Sequence, residues 1–336
     1  MLLLFTMDLL FVMDLLSAMD RQTIEGNINM YKNLSPSALG INGRQSEMIE
    51  LALTHRAKGL EIDMQALQRQ VESGGFEYAS RFVTSAGIKV APFEVPMRWN
   101  DDEIAFKTDL QTSKPLLETA QKLGCLGCTI TVKPFSESQP YHENFEFHRE
   151  RIAAVAEALK NYDLKLGLAF LAPAHHRQDK PQTFLCTADA LLTLMKTTVS
   201  DNVGVVVDSW HWQIGGGTAA HLADLSAEQI LEVRLADVPE DIDLETITED
   251  QRRLPGTTAA TLAADFLKVL SAKAYKGPVT PSAAPDQVSA RKRDQIVRQA
   301  FEAVDNLILA ATEPETETET PACKDDDSRV TASVAN

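Results

Sequence analysis

Residues 203–217 read VGVVVDSWHWQIGGG. An apolar run delivers Asp208 to its tip, and His211 follows three residues later. A carboxylate and an imidazole at that spacing suit metal ligation, or ligation by the acid with a hydrogen bond from the imidazole to a metal-bound hydroxyl. Trp210 and Trp212 read as walls of a sugar-sized pocket, and Gly215, Gly216 and Gly217 let the following loop bend closely over it. The same segment also reads as a histidine held by an acid at the edge of a core. Other polar residues stand at the ends of apolar runs: Glu61, Asp63, Glu94, Lys133, Arg234, Asp237 and Ser282. Glu61 and Asp63 are two apart on one run and so share a face. Arg234 suits pairing with a carboxylate or a phosphate.

The elements that must position these residues alternate. Short apolar runs at 30–34, 59–63, 88–94, 128–132, 164–171, 203–208, 232–236 and 277–280 are the strand candidates. Several are almost continuously apolar, as parallel strands covered on both faces must be. Helical periodicity falls between them at 45–57, 102–123, 147–159 and 286–309. Asn42 and Ser46 both suit the cap of the first helix, and Asp286 suits that of the last. Eight β-then-α repeats predict a single (β/α)8 barrel over residues 30–312, with its active site at the C-terminal ends of the strands. No GxGxxG follows an early strand, which argues against an open dinucleotide-binding sheet.

The 336 residues carry a formal net charge of −16. Nucleic acid and anionic membranes need basic patches, so both are excluded as partners. Residues 313–336 hold seven acidic and two basic side chains with few large apolar ones. This is the composition of a disordered acidic tail. Residues 1–29 begin with an apolar stretch that Asp8 and Asp14 interrupt and that lacks Lys or Arg, so neither a secretory leader nor a membrane span is expected. They read as a disordered extension or an upstream start, with Met19 or Met30 the natural beginning. Cys125, Cys128, Cys186 and Cys323 are too few for a disulfide framework, and the CxxC pair has no second pair to complete a zinc site. A reducing, cytoplasmic compartment is expected.

The chain resembles the sugar phosphate isomerase/epimerase group of xylose-isomerase-like TIM barrels. VGVVVDSWHW is similar to that family's sixth strand and KLGLAFLAP to its fifth, usually LGLEFLGP. EVRLADVP resembles the seventh (VHLADAP), RRLPGTT the next loop (R-LPGEG), and YKGPVTPSA the eighth, which commonly ends in glutamate. The resemblance implies a divalent metal held by Glu, Asp, His and Glu at successive strand ends, with the two glutamates moving a proton through an enediol. Of those ligands only Asp208 is kept; Ala169, Arg234 and Ser282 stand at the other three positions. His211 matches a substrate-contacting histidine of the family. Dimers or tetramers are the family's habit, so the resemblance leaves a homo-oligomer open without fixing the state.

One carboxylate is a poor cage for Mn²⁺ or Mg²⁺, and Arg234 repels a cation from the same place. The expectation is therefore no resident metal, unless a Mn, Mg, Zn or Co site has been rebuilt from His175 and His176, which follow the fifth strand. Three functions compete. The first is a metal-independent isomerase or epimerase of a ketose, inosose or sugar phosphate, with Arg234 neutralising the enediolate and His211 or Glu94 carrying the proton. Glu61, Lys133, Trp210 and Arg234 then bind the small carbohydrate. The second is a degenerate barrel that binds a sugar or sugar acid without turnover, and the third a structural subunit. In each case Asp208 is expected to pair with Arg234 or His211.

Overall fold

The computed structural model describes residues 30–258 and 262–312. The expectations for residues 1–29 and for the acidic tail at 313–336 lie outside the described residues. Eight barrel positions are filled in chain order: β1 (Tyr31–Leu34), β2 (Gly59–Leu60), β3 in two pieces (Lys89–Val90 and Phe93–Glu94), β4 (Gly127–Val132), β5 (Lys165–Phe170), β6 (Val203–Asp208), β7 (Ile230–Leu235) and β8 (Pro278–Pro281). All adjacent pairs are parallel. The sheet order starts at the first piece of β3 and ends at the second, so the two edges belong to one strand and the sheet closes.

That strand is split for a chemical reason. Ala91 N–H still donates to Leu60 on the β2 side, whereas Pro92 has no N–H to continue the ladder. Beyond it, Val95 N–H donates to Thr129 on the β4 side. The architecture is the (β/α)8 barrel that the alternation predicts.

Two helical expectations need correction. The pattern at 102–123 is two helices, Glu103–Thr112 and Lys114–Lys122, because Pro115 suits only the first turn of a new helix. The last helix runs Arg293–Thr312, and Asp286 sits in a separate 3-10 turn, Pro285–Gln287, instead of capping it. The first helix, Gln45–Thr54, is capped at neither Asn42 nor Ser46: Arg44 takes the cap position and its N–H donates to Glu47. Cys125 and Cys128 are buried thiols where a helix gives way to β4, and burial pushes Cys125 up to about 12. Neither is a poised nucleophile. Among the described residues no helix is long and apolar enough to cross a membrane.

The barrel interior is polar on one side. Asn33 on β1 donates through Nδ2 to Thr280 Oγ1 on β8 at 3.0 Å, and that hydroxyl donates to Glu232 Oε1 on β7 at 2.9 Å. Glu232 is buried, so its charge needs a counter-ion; Arg234, two residues on along the same face, supplies it.

Candidate active site at the barrel mouth

A cleft of about 450 Å³ opens at the C-terminal ends of the strands, within the size range of small-molecule pockets. Glu61, Asp63 and Glu94 line one side of it; Glu232, Arg234, Arg252 and Ser282 line the other. Thr129 and Thr131 of β4 lie between.

The two arginines are fixed differently. Arg234 donates through Nη2 and Nε to Glu232 Oε2, at 2.9 and 3.2 Å. Its Nη1 makes no hydrogen bond among the described residues. The charge of Glu232, aided by their hydrogen bonds, raises the Arg234 pKa further. Arg252 reaches the barrel axis from the loop after β7. Its Nη2 donates to both Asp208 oxygens at 2.8 and 2.7 Å, and its Nη1 donates to Ser282 Oγ at 2.8 Å. Burial works to raise the Asp208 pKa, but the facing Arg252, helped by Arg234, outweighs it and holds the carboxyl below its usual range.

The loop places Arg252 by backbone bonds on either side. Asp237 and Arg253 exchange N–H···O bonds of 2.9 and 3.1 Å, and Ala284 N–H donates to Arg252 O at 2.9 Å. Asp237 also accepts from the amides of Thr257 and Thr258. Trp210, fully buried, lies under the Arg252 guanidinium at 4.9 Å from its ring centroid.

This corrects the expected pairing. Asp208 binds neither Arg234 nor His211 as its ion-pair partner; Arg252 takes that place, because Glu232 already holds Arg234. His211 stands off the cleft, its Nδ1 accepting from Ala172 N–H at 3.3 Å, which leaves the proton on Nε2. Trp210 backs the arginine instead of walling the cleft. Lys133 is exposed and outside the cleft lining. Alternation after Thr129 and Thr131 would bring it inward, but β4 ends at Val132 and the chain turns away. Glu61 does line the cleft, and the hydroxyls of Ser35 and Ser37 both donate to its carboxylate. Asp63 is engaged as the cap of the next helix, accepting from Ala66 N–H at 2.8 Å. Glu94 accepts no hydrogen bond among the described residues and is exposed in the cleft.

Arg252 and Glu232 are the cleft residues that sequence reasoning missed. Arg252 opens the RRLPGTT segment, a cation in a loop that must return to the mouth, and that was its available signal.

A metal at the barrel axis does not fit these residues. Of the four positions marked by the resemblance, Ala169 offers no ligand atom, Ser282 is bonded to Arg252, and Arg234 brings a charge of the wrong sign. Asp208 is occupied by the Arg252 guanidinium and by the amides of Trp210 and His211, and that guanidinium fills the place between Asp208 and Ser282.

The profile of the xylose isomerase-like TIM barrel family matches residues 48–307. The chain belongs to that family. Inosose isomerase of Halalkalibacterium halodurans is 24% identical over 182 residues, 54% of this chain and 61% of that protein. Inosose isomerase of Bacillus subtilis is 24% identical over 166 residues, 49% and 56% of the two chains. The matches thus span little more than half the length of these relatives. Among solved structures, a xylose isomerase domain protein from Alicyclobacillus acidocaldarius superposes with a TM-score of 0.76 at 23% identity, covering 84% of this chain and all of that one. The IOLI protein, solved with a bound zinc atom, gives 0.70 at 18% identity, covering 84% and 99%. This xylose isomerase-like barrel shares their fold, with an arginine at its axis.

Two histidines, His148 buried and His211 half-buried, make the barrel's stability acid-sensitive. Burial lowers both His148 and His211 to about 4. The unfolded chain binds their protons near pH 6.5 and the folded chain resists until about 4, so stability falls as pH drops through that window. Urea midpoints at pH 7 and pH 4.5 should show a clear loss at the lower value. A flat profile would show that these rings are not held neutral.

Proposed function

We propose that the barrel moves a proton beside the carbonyl of a small polyhydroxylated ketone, as an isomerase or epimerase, with two arginines in place of an axial metal. The observation that carries this is the Arg252 guanidinium bridging Asp208 and Ser282 beside Arg234, across the cleft from Glu94. Glu94, whose carboxylate has no hydrogen-bond partner among the described residues, takes the proton from the carbon next to the carbonyl. The electrons move onto the carbonyl oxygen, and the enediolate formed accepts hydrogen bonds from Arg234 Nη1. Return of the proton to the former carbonyl carbon, with the adjacent hydroxyl's proton passing to the enediolate oxygen, isomerises the substrate; delivery of a solvent proton to the other face of the original carbon epimerises it. Arg252, by pairing with Asp208, keeps that carboxylate from opposing the charge that develops on the oxygen. Glu61, oriented by Ser35 and Ser37, accepts from substrate hydroxyls. The relatives named inosose isomerase and a neighbour solved as D-psicose 3-epimerase with D-fructose suggest inososes and ketohexoses as the first substrates to test.

The test is solvent-deuterium incorporation into these ketones by chelator-treated protein, followed by NMR. Incorporation is expected without added metal, and Glu94→Gln should slow it about 100-fold or more. A second reading, a binder without turnover, is favoured because among the described residues no second free carboxylate faces Glu94, Glu61 being already bonded by two serines. Saturable ketone binding with no incorporation would establish that reading and overturn the first.

A further inference from the structure

Outside the cleft wall, three metal-ligating side chains converge at the mouth. His175 and His176 lie on the 3-10 turn Ala174–Arg177, directly after β5, and Glu249 begins the turn Glu249–Gln251 after β7. His175 Nε2 is 3.0 Å from Glu249 Oε2, and His176 Nε2 is 2.5 Å from Glu249 Oε1. The two imidazole rings stand 4.1 Å apart between centroids, and one ligand atom from each of the three residues falls within 4.8 Å of the others. Among the described residues this is the one such group of three.

Consecutive histidines ordinarily diverge into solvent; here both ring tips turn to one carboxylate. The turns that carry them are themselves held. Arg177 donates to Ala172 O at 2.7 Å, and the Thr248 amide donates to Gln251 Oε1 at 3.0 Å. The side chains are half-buried or exposed, so an ion has a path in.

We propose that His175, His176 and Glu249 form a divalent-metal site of the zinc class, separate from the axial position that Arg252 fills. Two imidazole nitrogens and one carboxylate are a three-ligand zinc set that leaves a fourth position for water, and imidazole favours Zn²⁺ or Co²⁺ over Mg²⁺ and Ca²⁺. The ion displaces the protons that otherwise let both rings donate to Glu249. It also ties the loop after β5 to the turn that ends beside Arg252, three residues after Glu249. The proposal does not depend on what the cleft binds or turns over.

Full-length, tag-free protein stripped with chelator and dialysed is titrated with Co²⁺ alone, and the visible absorption of the bound ion is followed. One equivalent with tetrahedral-type bands, displaced by Zn²⁺, is expected. Glu249→Gln should weaken binding at least about tenfold, and the His175→Ala/His176→Ala double substitution should abolish the bands. Absence of bands in the parent, or bands that survive the double substitution, overturns the site. If the double variant fails to give a native circular dichroism spectrum, Glu249→Gln decides: undiminished binding there overturns it equally. Because the readout is bound metal, a cleft inactive toward every ketone leaves this result interpretable.

Discussion

Arg252→Ala is expected to lower the stability of the barrel by about 3–5 kcal/mol at pH 7, the range for removing one partner of a buried ion pair. Asp208 and Arg252 have side chains only 8% and 14% exposed, so water replaces the guanidinium poorly. The variant also reverses a pKa direction. With Arg252 present, Asp208 is held below its usual range, and its stabilisation is complete above the unfolded value near 4. Without Arg252 the burial contribution dominates and the carboxyl rises. The penalty is then largest where Asp208 must be charged and shrinks as acid protonates it. Urea unfolding of parent and variant at pH 7 and pH 4.5 should give a smaller difference at the lower pH. An equal difference at both would show that Arg252 contributes packing and not charge. Ketone binding should be lost in the same variant, because Asp208 would present an unneutralised anion behind the substrate oxygen.

The second large effect concerns the ligand set. Ala169→Glu, Arg234→His and Ser282→Glu together return two carboxylates and an imidazole to the strand ends around Asp208. An extra equivalent of divalent metal is expected relative to the parent, and it should vanish again on Asp208→Asn. Ser282→Glu removes one of the hydrogen bonds that hold Arg252 at the axis, and Arg234→His removes the fixed charge that opposes a cation. Glu232 bears the destabilisation, since it keeps Thr280 but loses its guanidinium. A triple variant that binds no more metal than the parent would mean that these positions do not surround a vacated metal site.

The barrel was legible because its strands are. Runs such as VGVVVD and KLGLAF are apolar on both faces, and that pattern requires helices on one side and a packed interior on the other. Asp208, Arg234 and Ser282 were legible as strand-end residues, since each closes or follows such a run. Their partners were not. Glu232 sits two residues before Arg234 inside the same apolar strand, where a buried carboxylate looks anomalous until the Thr280 hydroxyl is seen against it. Arg252 and Glu249 lie in the long connection after β7, which has no periodicity to fix their direction. Only the folded backbone, through the Asp237–Arg253 bridge, aims Arg252 at the axis. Lys133 and Trp210 failed in the other direction. Each closely follows a strand end in the sequence, but the backbone turns there and the side chain falls outside the cleft lining.

The account's central claim is that a guanidinium, and not a cation, occupies the axis between Asp208 and Ser282. Crystals grown with Zn²⁺ and measured on both sides of the zinc edge test this most directly. The anomalous map should be empty beside Asp208, with continuous side-chain density joining Arg252 to its carboxylate. An anomalous peak within about 2.2 Å of an Asp208 oxygen, with Arg252 swung away, would contradict it.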